Sequence, residues 1–176
     1  MILCLIRHGI TDMNAQKRLQ GWSNTGLSAD GHKQTEAVCK LIKSIKWDVI
    51  ISSDLLRAKQ TAEIIGGFFS IPIYFMKNLR ERCFGSLEGR LIEEISGGKF
   101  DTKETGGEGI DDFNIRIRRA FERIRKGYFD KKVIIVSHGG VLTSFLMMYL
   151  GIEKKDWINS EYVLVRYQRD SWDLLK

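Results

Sequence analysis

Proline is almost missing from this 176-residue chain, which carries one, Pro72. Together with 43% hydrophobic residues, that scarcity excludes collagen-like and proline-rich disordered classes and points to a folded globular chain. Cysteine is scarce too. Cys4, Cys39 and Cys83 are odd in number and widely spaced, so neither a disulfide framework nor a paired-cysteine zinc site is indicated, and all three read as reduced thiols. The opening apolar run stops at Arg7, too soon for a signal peptide or a membrane span, so the chain is expected to be soluble and cytoplasmic. There is no repeat, low-complexity tract or linker, and residues 1–176 are expected to form one domain large enough to bury a core. An acidic excess is also lacking. The net charge of +6 favours an anionic partner, which nucleic acid, a membrane surface or a phosphorylated metabolite would each satisfy.

What the chain does have begins with Ile6-Arg7-His8-Gly9-Ile10-Thr11-Asp12-Met13-Asn14. A buried strand ending on Arg-His-Gly delivers a guanidinium and an imidazole to the carboxyl edge of a sheet, where open α/β folds bind ligands. Gly9 lets the backbone turn sharply and lets a phosphoryl group approach the His8 ring. Thr11 and Asn14 add neutral hydrogen-bonding groups. Residues 8–27 lack periodicity and read as a long loop over this edge, holding Arg18, Gln20 and Gly21.

Downstream, Ser28 caps an amphipathic helix over 29–45, in whose first turn His32 reads as solvent-facing. The β-branched run 48–52 reads as a strand buried on both faces. Ser53 is the expected cap of the next helix, whose first turn brings Arg57 to the same sheet edge. Residues 72–76 form an edge strand. In the loop that follows, Glu81 stands between Arg80 and Arg82. It is a candidate acid/base, although a surface glutamate paired with either arginine fits the local sequence equally well. Residues 96–109 read as a long surface loop. A helix begins at Asp111 or Asp112, and its cations, from Arg116 to Lys126, read as a solvated face, because no aromatic platform or nucleic-acid signature accompanies them. The run 132–137 is another buried strand and ends on Ser137-His138-Gly139-Gly140, with an apolar helix after it. Two of the three histidines therefore leave equivalent strand ends. Strands over 162–168 and 172–175 close the chain as a hairpin.

These motifs carry a resemblance. Leu5-Ile6-Arg7-His8-Gly9 with Thr11 and Asn14, Ser53-Asp54-Leu55 with Arg57-Ala58 and Gln60-Thr61-Ala62, Glu81 with Phe84-Gly85 and Glu88-Gly89, and Ser137-His138-Gly139-Gly140 together resemble the histidine phosphatase superfamily, the phosphoglycerate mutase-like proteins. The likeness spans nearly the whole chain, in family order. It implies a three-layer α/β/α sandwich with a mostly parallel central sheet and a phosphohistidine mechanism that needs no metal and no other cofactor. His8 is then the nucleophile, Arg7, Arg57 and His138 hold the phosphoryl oxygens, and Glu81 is the acid/base. Gly9, Thr11, Asn14, Gln20, Gly21, Arg82 and Gly139 fall on or beside positions that meet substrate. The partner implied is a small phosphorylated metabolite, with no nucleic acid and no membrane. Relatives often form homodimers, but no exposed apolar stripe here marks an interface.

Within the family the departures favour a phosphatase. The segment between Gly89 and Asp111 is short where mutases carry a long insertion, Ile92 stands where a mutase lysine is expected, and Gly140 replaces the usual asparagine. Against these, Glu81-Arg82 is a pairing that mutases share. Ile10 and the stretch Gly106-Gly107-Glu108-Gly109 also depart from the common pattern. A phosphomonoesterase is therefore expected, of the α-ribazole phosphatase, phosphoserine phosphatase or broad-specificity kind. The alternatives are a cofactor-dependent mutase, a phosphate-binding module without turnover, or a nucleic-acid binder using the basic helix.

Overall fold

The computed structural model describes residues 1–95, 102 and 104–175. Its elements are β1 (Ile2–Arg7), α1 (Asp12–Ala15), α2 (Ala29–Ile42), β2 (Val49–Ser52), α3 (Leu56–Phe69), β3 (Ile73–Phe75), α4 (Ile110–Gly127), β4 (Lys132–Ser137), α5 (Gly139–Leu150), β5 (Tyr162–Gln168) and β6 (Ser171–Leu174), with short 3-10 turns between β3 and α4. The strands lie in the order β3-β2-β4-β1-β5-β6. The first four run parallel, and β5 and β6 are antiparallel additions at the β1 side.

The central strands are apolar on both faces because helices cover both. Alternate residues project to opposite sides of a strand. Leu3, Leu5, Val49, Ile51, Val133 and Ile135 accordingly pack with Phe113, Ile117 and Phe121 of α4 and Leu142 and Phe145 of α5. Cys4, Ile6, Ile50, Ile134 and Val136 pack on the other side, with Cys39 and Ile42 of α2 and Ala58, Ala62 and Ile65 of α3. The result is the α/β/α sandwich, with a mixed rather than wholly parallel sheet.

Local chemistry explains where the elements depart from their expected bounds. The loop over 8–27 contains the one-turn helix α1, because Thr11 and Asn14 form a reciprocal capping box in which asparagine does the work usually done by glutamate or glutamine. Helix α2 is capped by Ser28 as expected and stops at Ile42. Ser53 does not occupy the N-cap of α3, which is Leu55; its hydroxyl accepts from the Leu55 amide at 3.3 Å and is otherwise committed to His138. Helix α5 begins at Gly139, two residues earlier than the apolar run implies, with His138 itself as N-cap. The closing hairpin turns on Arg169 and Asp170, both at positive φ (48° and 59°), as a two-residue turn of primed type requires. Of the loop expected over 96–109, residues 96–101 and 103 lie outside the described residues. The remainder is not all at the surface, since Thr102 is fully buried.

Candidate active site

Parallel register builds the site. Arg7 pairs with Ser137 across β1 and β4, and Ser52 pairs with Val136 across β2 and β4. The residues that follow each strand, His8, Ser53 and His138, therefore emerge side by side at the carboxyl edge. The His8 amide continues the ladder to the Ser137 carbonyl at 2.9 Å, and the Ser53 amide does the same to Val136 at 2.9 Å. The His8 and His138 rings lie 5.2 Å apart, tilted by 57°.

His8 is almost wholly buried, and its Nδ1 faces the Gly9 carbonyl at 2.8 Å. A carbonyl only accepts, so Nδ1 carries the proton and Nε2 keeps its lone pair. That lone pair faces Nε of Arg57 at 3.3 Å. Burial first, then the charges of Arg57 and Arg7, push the His8 pKa well below 6.5, so the ring is neutral at neutral pH. His138 is pushed down in the same way, by burial and then by Arg57. Its Nε2 meets the Ser53 hydroxyl at 2.8 Å, and its buried Nδ1 has no partner among the described residues.

Arg57, in the first turn of α3, is 1% exposed. Its terminal nitrogens donate to the carbonyls of Ser23 at 2.8 Å and Gly21 at 2.7 Å, and these bonds fix the guanidinium. Burial lowers its pKa to about 10, against the opposing pull of Glu81 and Glu88, and at that value the group stays cationic at pH 7. Arg7 donates Nη1 to the Trp157 carbonyl, while its Nε is buried without a partner among the described residues. Burial lowers its pKa too, with Glu81 and Glu161 opposing.

Glu81 pairs with neither flanking arginine. Arg80 makes a bidentate bridge to Asp54 at 2.6 and 2.7 Å, and the Arg82 guanidinium turns to the Glu108 carbonyl and the Thr102 hydroxyl. The Glu81 carboxylate instead accepts the Arg82 amide at 2.9 Å and the Gly140 amide at 3.0 Å, the latter at the amino end of α5. A Cβ at position 140 would stand 2.4 Å from its Oε1, so glycine there is what lets the acid sit.

Arg7, His8, Arg57 and Glu81 open into a pocket of about 440 Å³, which Asn14, Gln20, Gly21 and Gly139 also line. Arg18, Leu19, Phe84, Ile92, Thr143, Lys155 and Trp157 complete its wall. Four residues expected to meet the substrate or its phosphoryl group are not part of that wall, the first being fully buried His138, whose ring lies 5.2 Å from that of His8. Gly9 makes room for α2 rather than for a ligand, since a Cβ there would lie 2.6 Å from the Gly31 carbonyl. Thr11 is buried and bonds Asn14 and Gln20 from behind. Arg82 is held away by the bonds just described. His32 is exposed on α2, as expected.

Sequence reasoning missed the loop before β5. Besides the Trp157 carbonyl on Arg7, the Asn159 amide donates to the His8 carbonyl at 3.0 Å and to Asn14 Oδ1 at 3.3 Å, and the Ser160 amide donates to the carbonyls of both Arg7 and His8. No motif marks this loop; only the pairing of β5 with β1 brings it to the site. Arg116 departs from the expectation as well. It is not on a solvated face but is half-buried against the Glu81 loop.

Buried cations and a neutral imidazole whose Nε2 lone pair accepts one long bond, from the Arg57 Nε–H, around a pocket with a seated carboxyl group, can bind a phosphoryl group and accept it on nitrogen once that bond opens. Known proteins are similar to this chain over nearly its whole length. The Bacillus subtilis protein named uncharacterized phosphatase PhoE is 31% identical over 174 residues, covering 97% of this chain and 90% of its own. The probable phosphoglycerate mutase GpmB of Salmonella choleraesuis is 32% identical over 184 residues, covering 96% and 86%. A mutant phosphoserine phosphatase from Entamoeba histolytica, solved with phosphoserine, superposes with a TM-score of 0.85 at 25% identity, covering 99% of this chain and 95% of that one. The histidine phosphatase superfamily (branch 1) model matches residues 3–176, and the chain belongs to that superfamily.

Proposed function

We propose that the chain is a phosphomonoesterase acting on small phosphorylated metabolites through a phosphohistidine on His8. The observation that carries this reading is the His8 tautomer: Nδ1 tied to the Gly9 carbonyl leaves Nε2 as the only nucleophilic atom, and that atom faces Arg57. In the first step the Nε2 lone pair forms a bond to phosphorus as the ester P–O bond breaks, and Glu81 gives its proton to the leaving oxygen. In the second, the Glu81 carboxylate takes a proton from water, the hydroxide oxygen bonds to phosphorus, and the N–P bond breaks to release phosphate. Arg7, Arg57 and His138 hold the phosphoryl oxygens throughout, which is the larger part of phosphoryl-transfer catalysis. Asn14, Gln20, Gly21 and Gly139 contact the bound ester from the pocket wall. Ile92 in that wall, where a mutase lysine is expected from the family resemblance, supports hydrolysis over transfer to a second hydroxyl of an acidic substrate. The relative named a probable phosphoglycerate mutase supports the second reading, in which the phosphoryl group passes to another hydroxyl instead of water.

The test is phosphate release from p-nitrophenyl phosphate in excess EDTA by the wild type and by His8→Ala. Release that persists in EDTA and is abolished in the variant is the expected result; equal activity of the two proteins would overturn the assignment of His8. A panel of phosphoserine, α-ribazole phosphate, sugar phosphates and 3-phosphoglycerate then distinguishes hydrolysis from isomerisation by product analysis.

A further inference from the structure

Arg116 of α4 uses every donor it has. Nε and one Nη2 hydrogen form a bidentate bridge to Glu108 at 2.7 and 2.6 Å, Nη1 donates to the carbonyls of Asn78 at 2.8 Å and Arg80 at 2.9 Å, and Nη2 also reaches the Glu81 carbonyl at 3.2 Å. The three carbonyls belong to the segment that leads into Glu81. The side chains of Arg116 and Glu108 are 15% and 16% exposed, so water does not compete freely for these bonds. The Trp22 indole closes on the same Glu81 carbonyl from the other side at 2.7 Å. The Glu81 carboxylate, by contrast, is held among the described residues at two points, both backbone amides. Where that carboxylate stands is set by where its main chain is held.

We infer that Arg116, fixed by Glu108, is a positioning residue for the proton donor Glu81, acting on its backbone and not on the phosphate. The inference rests on the reading of Glu81 as acid/base. A planar fork of five N–H groups meets five acceptors here, and an ammonium with three donors cannot reproduce that pattern while keeping the charge. The role is therefore one of geometry, and retaining the positive charge does not restore it.

The experiment compares kcat/KM on an alkyl phosphate, whose leaving oxygen needs a proton, with kcat/KM on p-nitrophenyl phosphate, whose leaving group does not. Arg116→Met and Arg116→Lys are expected to lose about 10- to 100-fold on the alkyl ester and less than about threefold on the activated one, with inorganic phosphate binding unchanged. Glu108→Gln should show the same split, more weakly, and supplies the answer if the Arg116 variants do not fold. In a Glu81→Gln background, Arg116→Met should add no further selective loss, because the group it positions has already gone. Equal loss on both esters, full rescue by lysine, or additive loss in the double variant would overturn the inference while leaving Glu81 as the acid. If Glu81→Gln itself shows no difference between the esters, the acid assignment fails first and the inference goes with it.

Discussion

Acidifying the protein from about pH 7.5 to about pH 5 tests the site's electrostatics without a mutation. His8 and His138 are held well below 6.5 in the fold, chiefly by burial, whereas in the unfolded chain each regains the ordinary value of 6.5. Below that pH the unfolded state binds protons that the folded state refuses, so stability is present in full above 6.5 and falls as pH drops. The loss grows to about 1.4 kcal/mol per pH unit per ring. At pH 5 this amounts to about 2 kcal/mol for each ring that stays neutral, and about 4 kcal/mol for both, a large part of the roughly 5–15 kcal/mol that holds a domain together. Asp54, whose pKa the Arg80 guanidinium lowers below 3.8, loses its contribution only at lower pH and does not confuse this window. Urea unfolding at a series of pH values reads the slope, and His8→Gln should remove about half of it. Stability that stays flat over this range, or a slope that His8→Gln leaves unchanged, would refute the claim that the rings are buried neutral. The same depression puts the limb of the kcat/KM profile that belongs to His8 below pH 6.5.

Gly140→Ala places a Cβ 2.4 Å from Glu81 Oε1 and drives the carboxylate off the Gly140 amide. A hydrogen bond to a charged group is worth about 1.5–3 kcal/mol, so kcat/KM on an alkyl phosphate should fall about 10- to 100-fold with little change in melting temperature, and undiminished activity would show that the acid does not need this seat. The thiols give a simpler check. Cys4 is fully buried with its pKa pushed up by burial, and Cys39 is buried and raised to about 11, while Cys83 is partly exposed. Burial raises the Cys83 pKa as well, so native protein should react with a thiol reagent at Cys83 alone and more slowly than a free thiol, and at all three sites in denaturant; labelling of Cys39 in the fold as fast as that of Cys83 would contradict its burial.

The parts of the fold set by local pattern could be read from the residues. The apolar runs in β1, β2 and β4 have no polar face to misassign, and the Arg7-His8 and Ser137-His138 steps follow from where those runs stop. The roles proposed for Arg57 and Glu81 rest on the family resemblance and not on local pattern. What could not be read were partners chosen across the fold. Ser53 fits a helix cap by type, yet its hydroxyl serves His138, 85 positions away in sequence. Arg116 sits among cations that do face solvent, such as Arg118 and Arg119, and only the approach of the Glu81 loop turns it inward. Gly9 is required for a reason opposite to the one its motif suggests, since the atoms crowding it belong to α2. Asn159 and Trp157 come to the site through an antiparallel pairing that no local pattern specifies.

The order of the sheet also governs when the site can exist. Strand β4 lies between β1 and β2, so the strand carrying His138 is inserted between two that precede it in the chain by more than 70 residues. The loop that holds Arg7 and His8 is supplied later still, just ahead of β5. Contacts of such long sequence separation form late, after most of the entropy of loop closure has been lost. An amino-terminal fragment holding Arg7, His8, Arg57 and Glu81 therefore has the reactive groups without the frame that aligns them. Recovery of turnover during refolding then reports completion of the sheet, and should lag behind signals that arise from the helices alone.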